Sequence, residues 1–365
     1  MLTTALMIVA ALGAEPEPWK KVVEPRAFSF PRDHAAHADH RVEWWYYTGN
    51  LAAADGRRFG YELTFFRTGL QYASQNPSRW AVRDLYLAHF AVSDLQSGRF
   101  HCFQRLSRRG VGWSGAETDR CRVWNGDWTL ELVGDEHRLV AAQCPDANQP
   151  ERTACAIDLR LVSQKPPALH GDRGISRKGP TLGNASYYYS LTRMETRGTI
   201  RLGEQQFEVS GLSWMDHEFS SSFLEAGQRG WDWFSIQLDD GREMMLYQLR
   251  RDDGTPDRFS SGTWVEADGR IKPLTADDFS LSAGRTWRSP QSGAEYPVVW
   301  KLRLPARKIE MDIAATMPNQ ELDVVASTGF PYWEGAIDVR GREGDKPLAG
   351  RGYLEMTGYA GRLAE

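Results

Sequence analysis

The sequence predicts an all-β chain folded as two successive antiparallel β-barrels, one in each half. Aromatic residues are abundant, with 14 Trp, 13 Tyr and 15 Phe beside 34 Gly, and aromatics broken by glycine turns favour strands over helices. Short alternating runs are punctuated by Asp-Gly, Asn-Gly and Gly-Arg pairs, the pattern of antiparallel hairpins. No amphipathic stretch longer than about ten residues prefers the helical period. At 365 residues the chain exceeds what one core usually serves, so two domains are expected, over 24–225 and 226–365.

The first half should open with a strand over Glu43–Leu51, turn at Ala54-Asp55-Gly56-Arg57 and return over Phe59–Phe66. A third strand covers Leu85–Val92, before a turn at 94–99. Further strands fall at Trp128–Val133, Ile157–Val162, Tyr187–Met194, Thr199–Arg201 and Phe207–Trp214, with a loop over 172–184. The second half starts over with Trp231–Leu238, a turn at Asp239-Asp240-Gly241-Arg242, and Glu243–Arg250. Later strands are Phe259–Val265, Val298–Leu304, Glu310–Met317, Glu334–Val339 and Gly352–Tyr359.

The halves echo each other. Trp45, Leu51, Asp55-Gly56, Tyr61, Leu63 and Arg67 recur as Trp233, Leu238, Asp240-Gly241, Tyr247, Leu249 and Arg250. The closing strands match as well, Gly211-Leu212-Ser213-Trp214-Met215-Asp216 against Gly352-Tyr353-Leu354-Glu355-Met356-Thr357. A duplicated sheet that closes on itself removes its own edges, and each half is expected to enclose an apolar, aromatic-lined cavity.

A net charge of −4, with 25% charged residues, leaves no electrostatic footprint for nucleic acid. Residues 1–14 read as a signal peptide. Their apolar run is too short to span a bilayer and ends in the small-x-small site Ala11-Leu12-Gly13, although no Lys or Arg precedes it. A periplasmic or secreted location is expected. Cys102, Cys121, Cys144 and Cys155 cluster in the first half. An even set in an exported chain suggests disulfides, with Cys102–Cys121 and Cys144–Cys155 the simplest of three connectivities and free thiols the alternative.

The segment His34-Ala35-Ala36-His37, followed by Glu43-Trp44-Trp45-Tyr46-Tyr47-Thr48-Gly49-Asn50-Leu51, resembles the opening signature of the AttH-like lipocalin family, which groups with the carotenoid 1,2-hydratases. Gly211-Leu212-Ser213-Trp214-Met215-Asp216-His217-Glu218 resembles its second signature and Gly230-Trp231-Asp232-Trp233-Phe234 its third. The resemblance covers roughly residues 25–363. It implies two tandem lipocalin-like (calycin) barrels, a hydrophobic ligand such as an isoprenoid or lipid, and bacterial export. Relatives include hydratases of isolated double bonds, and the family is often described as predicted secreted hydrolases.

On a strand, Trp214, Asp216 and Glu218 share one face, while Met215, His217 and Phe219 share the other. Two carboxylates about 7 Å apart raise one pKa if their face is enclosed, and a protonated carboxylic acid is what protonating an alkene requires. The second half carries Thr357 and Gly358 where Asp216 and His217 stand, so barrel closure needs neither. Glu43, Trp45 and Tyr47 share a face, as do Trp44, Tyr46 and Thr48. Glu43 is a second acid or base, or orients His217. Tryptophan rings either stabilise a carbocation by cation–π attraction or fill a core.

His34, His37, Asp39 and His40 could ligate a metal. They lie in a loop without a rigid element, so hydrogen bonding to Asp216 or Glu43 is the favoured reading and no metal is expected. His89 is a satisfied core histidine or, if a cavity lies on its side, a proton-transfer group. The sequence has no Gly-x-Ser-x-Gly elbow, no Gly-x-Gly-x-x-Gly that follows a strand ahead of a helix, and no phosphate loop. No cofactor is expected.

The expected protein binds a hydrophobic small molecule and performs hydratase- or hydrolase-type acid–base chemistry on it. Asp216 is the proton donor, tuned by His217, Glu218 and Glu43. Trp44, Trp45, Tyr46, His89, Trp214 and Trp233 line the pocket. The alternative is a non-catalytic periplasmic carrier working with a membrane ABC-type transporter.

Overall fold

Strand alternation, with each side chain pointing opposite to the next, builds two large antiparallel sheets, beside a small two-stranded one, and decides what lies between the large two. The computed structural model describes residues 19–72, 76–78, 80–144, 153–222 and 224–361; the expected signal segment lies outside them. The first sheet contains β1 (Val42–Ala53), β2 (Arg58–Gly69), β3 (Asp84–Asp94), β4 (Arg99–Arg108), β5 (Ser114–Ala116), β6 (Arg122–Asn125), β7 (Trp128–Val133), β8 (Glu136–Gln143), β9 (Cys155–Ser163), β10 (Ala168–Leu169), β11 (Ile175–Arg177), β12 (Ala185–Leu202) and β13 (Gln205–Ser220). Its order is β4-β3-β2-β1-β13-β12-β9-β8-β7-β6-β5, with β10 and β11 added beside β12. It curls into a nearly closed barrel.

The second half supplies β14 (Gln228–Leu238), β15 (Glu243–Arg251), β16 (Ser261–Val265), β17 (Ile271–Thr275), β18 (Ser280–Ala283), β19 (Thr286–Arg288), β20 (Glu295–Pro297), β21 (Val299–Leu304), β22 (Ile309–Ala315), β23 (Glu321–Leu322), β24 (Tyr332–Glu343) and β25 (Lys346–Met356). Ten of these form a half-barrel, ordered β17-β16-β15-β14-β25-β24-β22-β21-β18 with β23 beside β24. In both halves the first strand pairs with the second and with the last, as the repeat predicts. The hairpin glycines Gly56 and Gly241 both adopt φ +87°, a conformation that suits glycine.

The all-β expectation holds. Among the described residues the only α-helix is the single turn Val325–Thr328. The two strands expected over 187–201 are one, β12, with a register shift between Leu191 and Met194. The loop expected over 172–184 contains β11. Strand β4 went unread because its Arg, His and Gln residues leave it half-exposed at the sheet's end.

The cavities differ from expectation. The first barrel's interior is filled by its own side chains, among them Trp45, Tyr47, Phe65, Trp128 and Tyr189. The half-barrel covers Phe234, Trp264, Trp300 and Trp333. A third cluster, with Tyr46, Tyr188, Trp214, Trp233, Tyr247 and Tyr353, joins the outward faces of the two sheets. The large hollow lies there, between the halves.

The cysteine pairing is also corrected. Cys121, Cys144 and Cys155 are free thiols, so neither expected bridge forms. Cys121 and Cys155 belong to the barrel core, Cys144 is exposed, and Cys102 stands half-buried on β4 opposite Ala91.

Candidate active site

A cavity of about 590 Å³ opens between the two sheets. The first half contributes Trp44, Tyr46, Lys178, Tyr188, Asp216 and Glu218, the second Trp231, Trp233, Tyr247, Tyr332, Glu334 and Glu355. Apart from Lys178, which follows β11, these are the outward positions of β1, β12, β13, β14, β15, β24 and β25. The face shared by Trp214, Asp216 and Glu218 is therefore the cavity side, and Trp44 and Tyr46 stand beside it, opposite Glu218 and Asp216 in the β1–β13 register.

Asp216 is buried and fully engaged. Its Oδ2 accepts from the Tyr188 hydroxyl at 2.6 Å, and Oδ1 accepts from Trp214 Nε1 at 2.7 Å and from the Ser190 hydroxyl. Trp233 Nε1 donates to the Tyr188 oxygen at 2.9 Å. Burial pushes the Asp216 carboxyl up to about 7; the Ser190, Tyr188 and Trp214 hydrogen bonds offset part of that, and Glu218 adds to it. Glu218 pairs with Lys178 at 3.2 Å. Burial would discharge Lys178, but Glu218 and Tyr247 hold its pKa above the ordinary value.

Carboxyls from the second half face Asp216. Burial raises Glu355 to about 7, against a hydrogen bond from Trp231 and with help from Asp216 and Glu218. Glu334, beside it, is raised well above the ordinary range by burial and by Glu62 and Glu355. The second half carries its own carboxyl on this face: β25 ends at Met356, leaving Thr357 beyond the strand, and Glu355 is the outward carboxylate. Tyr188, Lys178, Glu334 and Glu355 escaped the sequence reading. The signal was available for Glu355, which the repeat aligns with Trp214 on the same face.

Two of the expected catalytic residues sit on the opposite side of the sheet. His217 and the Glu43 carboxylate point into the barrel end, where His217 Nε2 meets Glu43 Oε1 at 2.8 Å and Nδ1 meets the Tyr189 hydroxyl at 2.9 Å. The backbone N–H of His37 donates to Glu43 Oε2 at 2.9 Å, its Nδ1 meets Oε1 at 2.9 Å, and Arg67 Nε donates to Oε2 at 3.3 Å. Burial opposes ionisation of Glu43, but hydrogen bonds from His217 and His37 hold its pKa well below the usual range. The expected Glu43–His217 contact thus forms, away from Asp216. The ligand atoms of His37, Glu43 and His217 lie within 4.8 Å of one another, close enough for a metal. Their present partners instead make them a satisfied charge network.

Of the expected pocket residues, Trp44, Tyr46 and Trp233 line the cavity, and Trp214, on the same face but outside the lining, donates to Asp216. Trp45 does not line it: the side chain lies in the barrel core, stacked on His217 at 4.9 Å. His89 is buried between the halves, bonded to the Tyr332 hydroxyl at 2.7 Å and Ser327 Oγ at 3.0 Å. Burial depresses its pKa to about 3, so it is a satisfied neutral histidine. His34 bonds the Tyr189 hydroxyl at 2.7 Å, His40 packs against Tyr187 and Phe219, and Asp39 pairs with Lys20 at 2.6 Å.

The sequence profile of the AttH-like family matches residues 21–359. The chain belongs to that family. This AttH-like chain is similar in structure to a protein assigned as AttH from Nitrosomonas europaea, with TM-score 0.83 and 36% identity over 93% of this chain and 99% of that one. It shares its fold with kievitone hydratase from Nectria haematococca, at TM-score 0.69 and 14% identity over 95% and 98% of the two chains. The fold is also that of CghA, at TM-score 0.54 and 13% identity over 89% and 90%. No curated protein matches the AttH-like chain in sequence.

Proposed function

We propose that the cavity between the two halves binds a hydrophobic, isoprenoid- or lipid-like molecule and that Asp216 supplies the proton for hydratase-type chemistry on it. The carrying observation is the buried Asp216 carboxyl on an aromatic-walled cavity, with its pKa moved to about 7. The likeness in fold to a hydratase agrees with this reading.

When Asp216 is neutral, its own proton turns toward the Tyr188 oxygen. Tyr188 then accepts from both Asp216 and Trp233, and its hydroxyl hydrogen points into the cavity. As Tyr188 gives that proton to one alkene carbon, Asp216 passes its own proton to the Tyr188 oxygen, leaving a carbocation on the other carbon, a neutral Tyr188 and a carboxylate at Asp216. The faces of Trp44, Trp231 and Trp233 stabilise the cation. Water adds its oxygen to the cation and gives a proton to a carboxylate on the wall, Glu355 or Asp216 itself. The net change is addition of one water.

Organic extraction of the purified protein followed by mass spectrometry identifies the occupant. Incubation with an isoprenoid bearing isolated double bonds should then yield a product heavier by one water. Asp216→Asn should abolish that product while tryptophan fluorescence quenching by the same isoprenoid stays within a few-fold of wild type. Undiminished hydration by the variant overturns the role of Asp216. Tight binding without turnover in either protein supports carriage instead.

A further inference from the structure

Glu334 and Glu355 stand directly opposite each other on β24 and β25, on the face that walls the cavity. Like charges directly opposite in an antiparallel pair repel. Glu62 approaches from β2 of the first half and adds to the repulsion felt by Glu334. Glu334 is 1% exposed, yet among the described residues neither of its oxygens has a hydrogen-bond partner. The Tyr46 hydroxyl, also buried and on the cavity wall, faces the same carboxyl but stands outside hydrogen-bond geometry with any group of the chain. Tyr332, which faces the same carboxyl, is committed to His89 at 2.7 Å. A buried acceptor without a donor costs free energy, and the Tyr46 hydroxyl can supply at most one hydrogen to the two Glu334 oxygens, so this end of the cavity has room for a donor from outside the chain. Lys178, the lysine on the cavity wall, is paired with Glu218.

We propose that this end of the cavity is an ammonium subsite: Glu334, with Glu355 and Tyr46, receives the primary ammonium group of an amphiphilic amine whose apolar body lies along Trp44, Trp231 and Trp233. A primary ammonium carries three N–H donors and no acceptor, matching the two free oxygens of Glu334 and the oxygen of Tyr46. On binding, Glu334 releases its proton to solvent, and the resulting carboxylate meets the ammonium in a poorly screened site, where Coulomb attraction is several times stronger than in water. The aromatic rings around it add cation–π attraction. The inference rests on the reading that the cavity binds an apolar molecule and adds the chemical class of its polar end.

The test compares decylammonium with decanol, which share one apolar chain, by calorimetry and tryptophan fluorescence on the full chain. Decylammonium should bind at least roughly tenfold more tightly, a factor equal to about 1.4 kcal/mol. Glu334→Gln should reduce that preference to within about threefold and leave decanol affinity unchanged, and Glu355→Gln should do the same in part. Equal binding of the two probes to wild type overturns the ammonium subsite alone. So does a preference that survives both substitutions. Binding of neither probe overturns the apolar-cavity reading and the subsite with it.

Discussion

Replacing Asp216 by Asn should change how the stability of this protein depends on pH. In the unfolded chain the carboxyl titrates near 3.8, and burial moves it to about 7 in the folded state. The folded protein therefore holds this proton more tightly than the unfolded one. Its contribution is complete below the unfolded value and is lost as pH rises through about 7. With 1.36 kcal/mol for each pKa unit, the full loss is about 4 kcal/mol, of which about 2.5 kcal/mol falls between pH 5 and pH 8. Asn does not titrate. Urea denaturation of both proteins, followed by tryptophan fluorescence at each pH, should show the variant gaining about 2.5 kcal/mol on wild type across that interval. The acids Glu355 and Glu62 titrate in both proteins and largely cancel. A stability difference that stays constant within a few tenths of a kcal/mol would mean that Asp216 titrates like a solvated carboxyl, and the proton-donor argument would fail with it.

Two further outcomes follow from the other buried groups. Glu43→Ala strips His37, His217 and Arg67 of a shared acceptor, leaving the Arg67 charge buried with Asp84 at 3.3 Å; denaturation at neutral pH should show a loss of about 3–5 kcal/mol, and a loss under about 1 kcal/mol would refute the network's role. A thiol reagent should label Cys144 in the native protein but reach Cys121 and Cys155 only after unfolding, since burial raises both thiol pKa values, that of Cys121 to about 12. A disulfide to Cys121 or Cys155, found by peptide mapping of the unreduced protein, would contradict the core placement of these residues.

Alternation made much of the site legible. It put Trp214, Asp216 and Glu218 on one face and His217 on the other, and the folded strand keeps that division because its side-chain period is two. It did not reveal which face meets a partner. A clue was present in Glu43-Trp44-Trp45-Tyr46-Tyr47, apolar on both faces, as strands covered on both sides are. Here one side is the barrel core and the other the second domain. The repeat misled in one place: it aligned Trp45 with Trp233, yet the first points into its barrel and the second into the cavity. A one-residue slip in register inverts every face. Glu334 and Glu355 stayed hidden because nothing in a strand's own sequence marks a carboxylate that another domain will bury.

The site needs both halves. Asp216 and Glu218 come from the first sheet, Glu334 and Glu355 from the second, and none would be dry if the halves separated. Docking is specified by polar contacts that each have one correct partner. Glu243 of the second half, fully buried, is held by Lys165 at 2.6 Å and by Arg193, both from the first. Asn50 donates to the Gly352 carbonyl at 3.0 Å, and Arg58 to Asp338 at 2.6 Å. Buried ion pairs add little net stability, but breaking one is costly, so they penalise every misaligned docking more than they strengthen the correct one. Each half can then keep a filled core of its own. The desolvation that raises the carboxyl pKa values is created at the seam, where a shift of the second sheet would admit water and return Asp216 toward an ordinary acid.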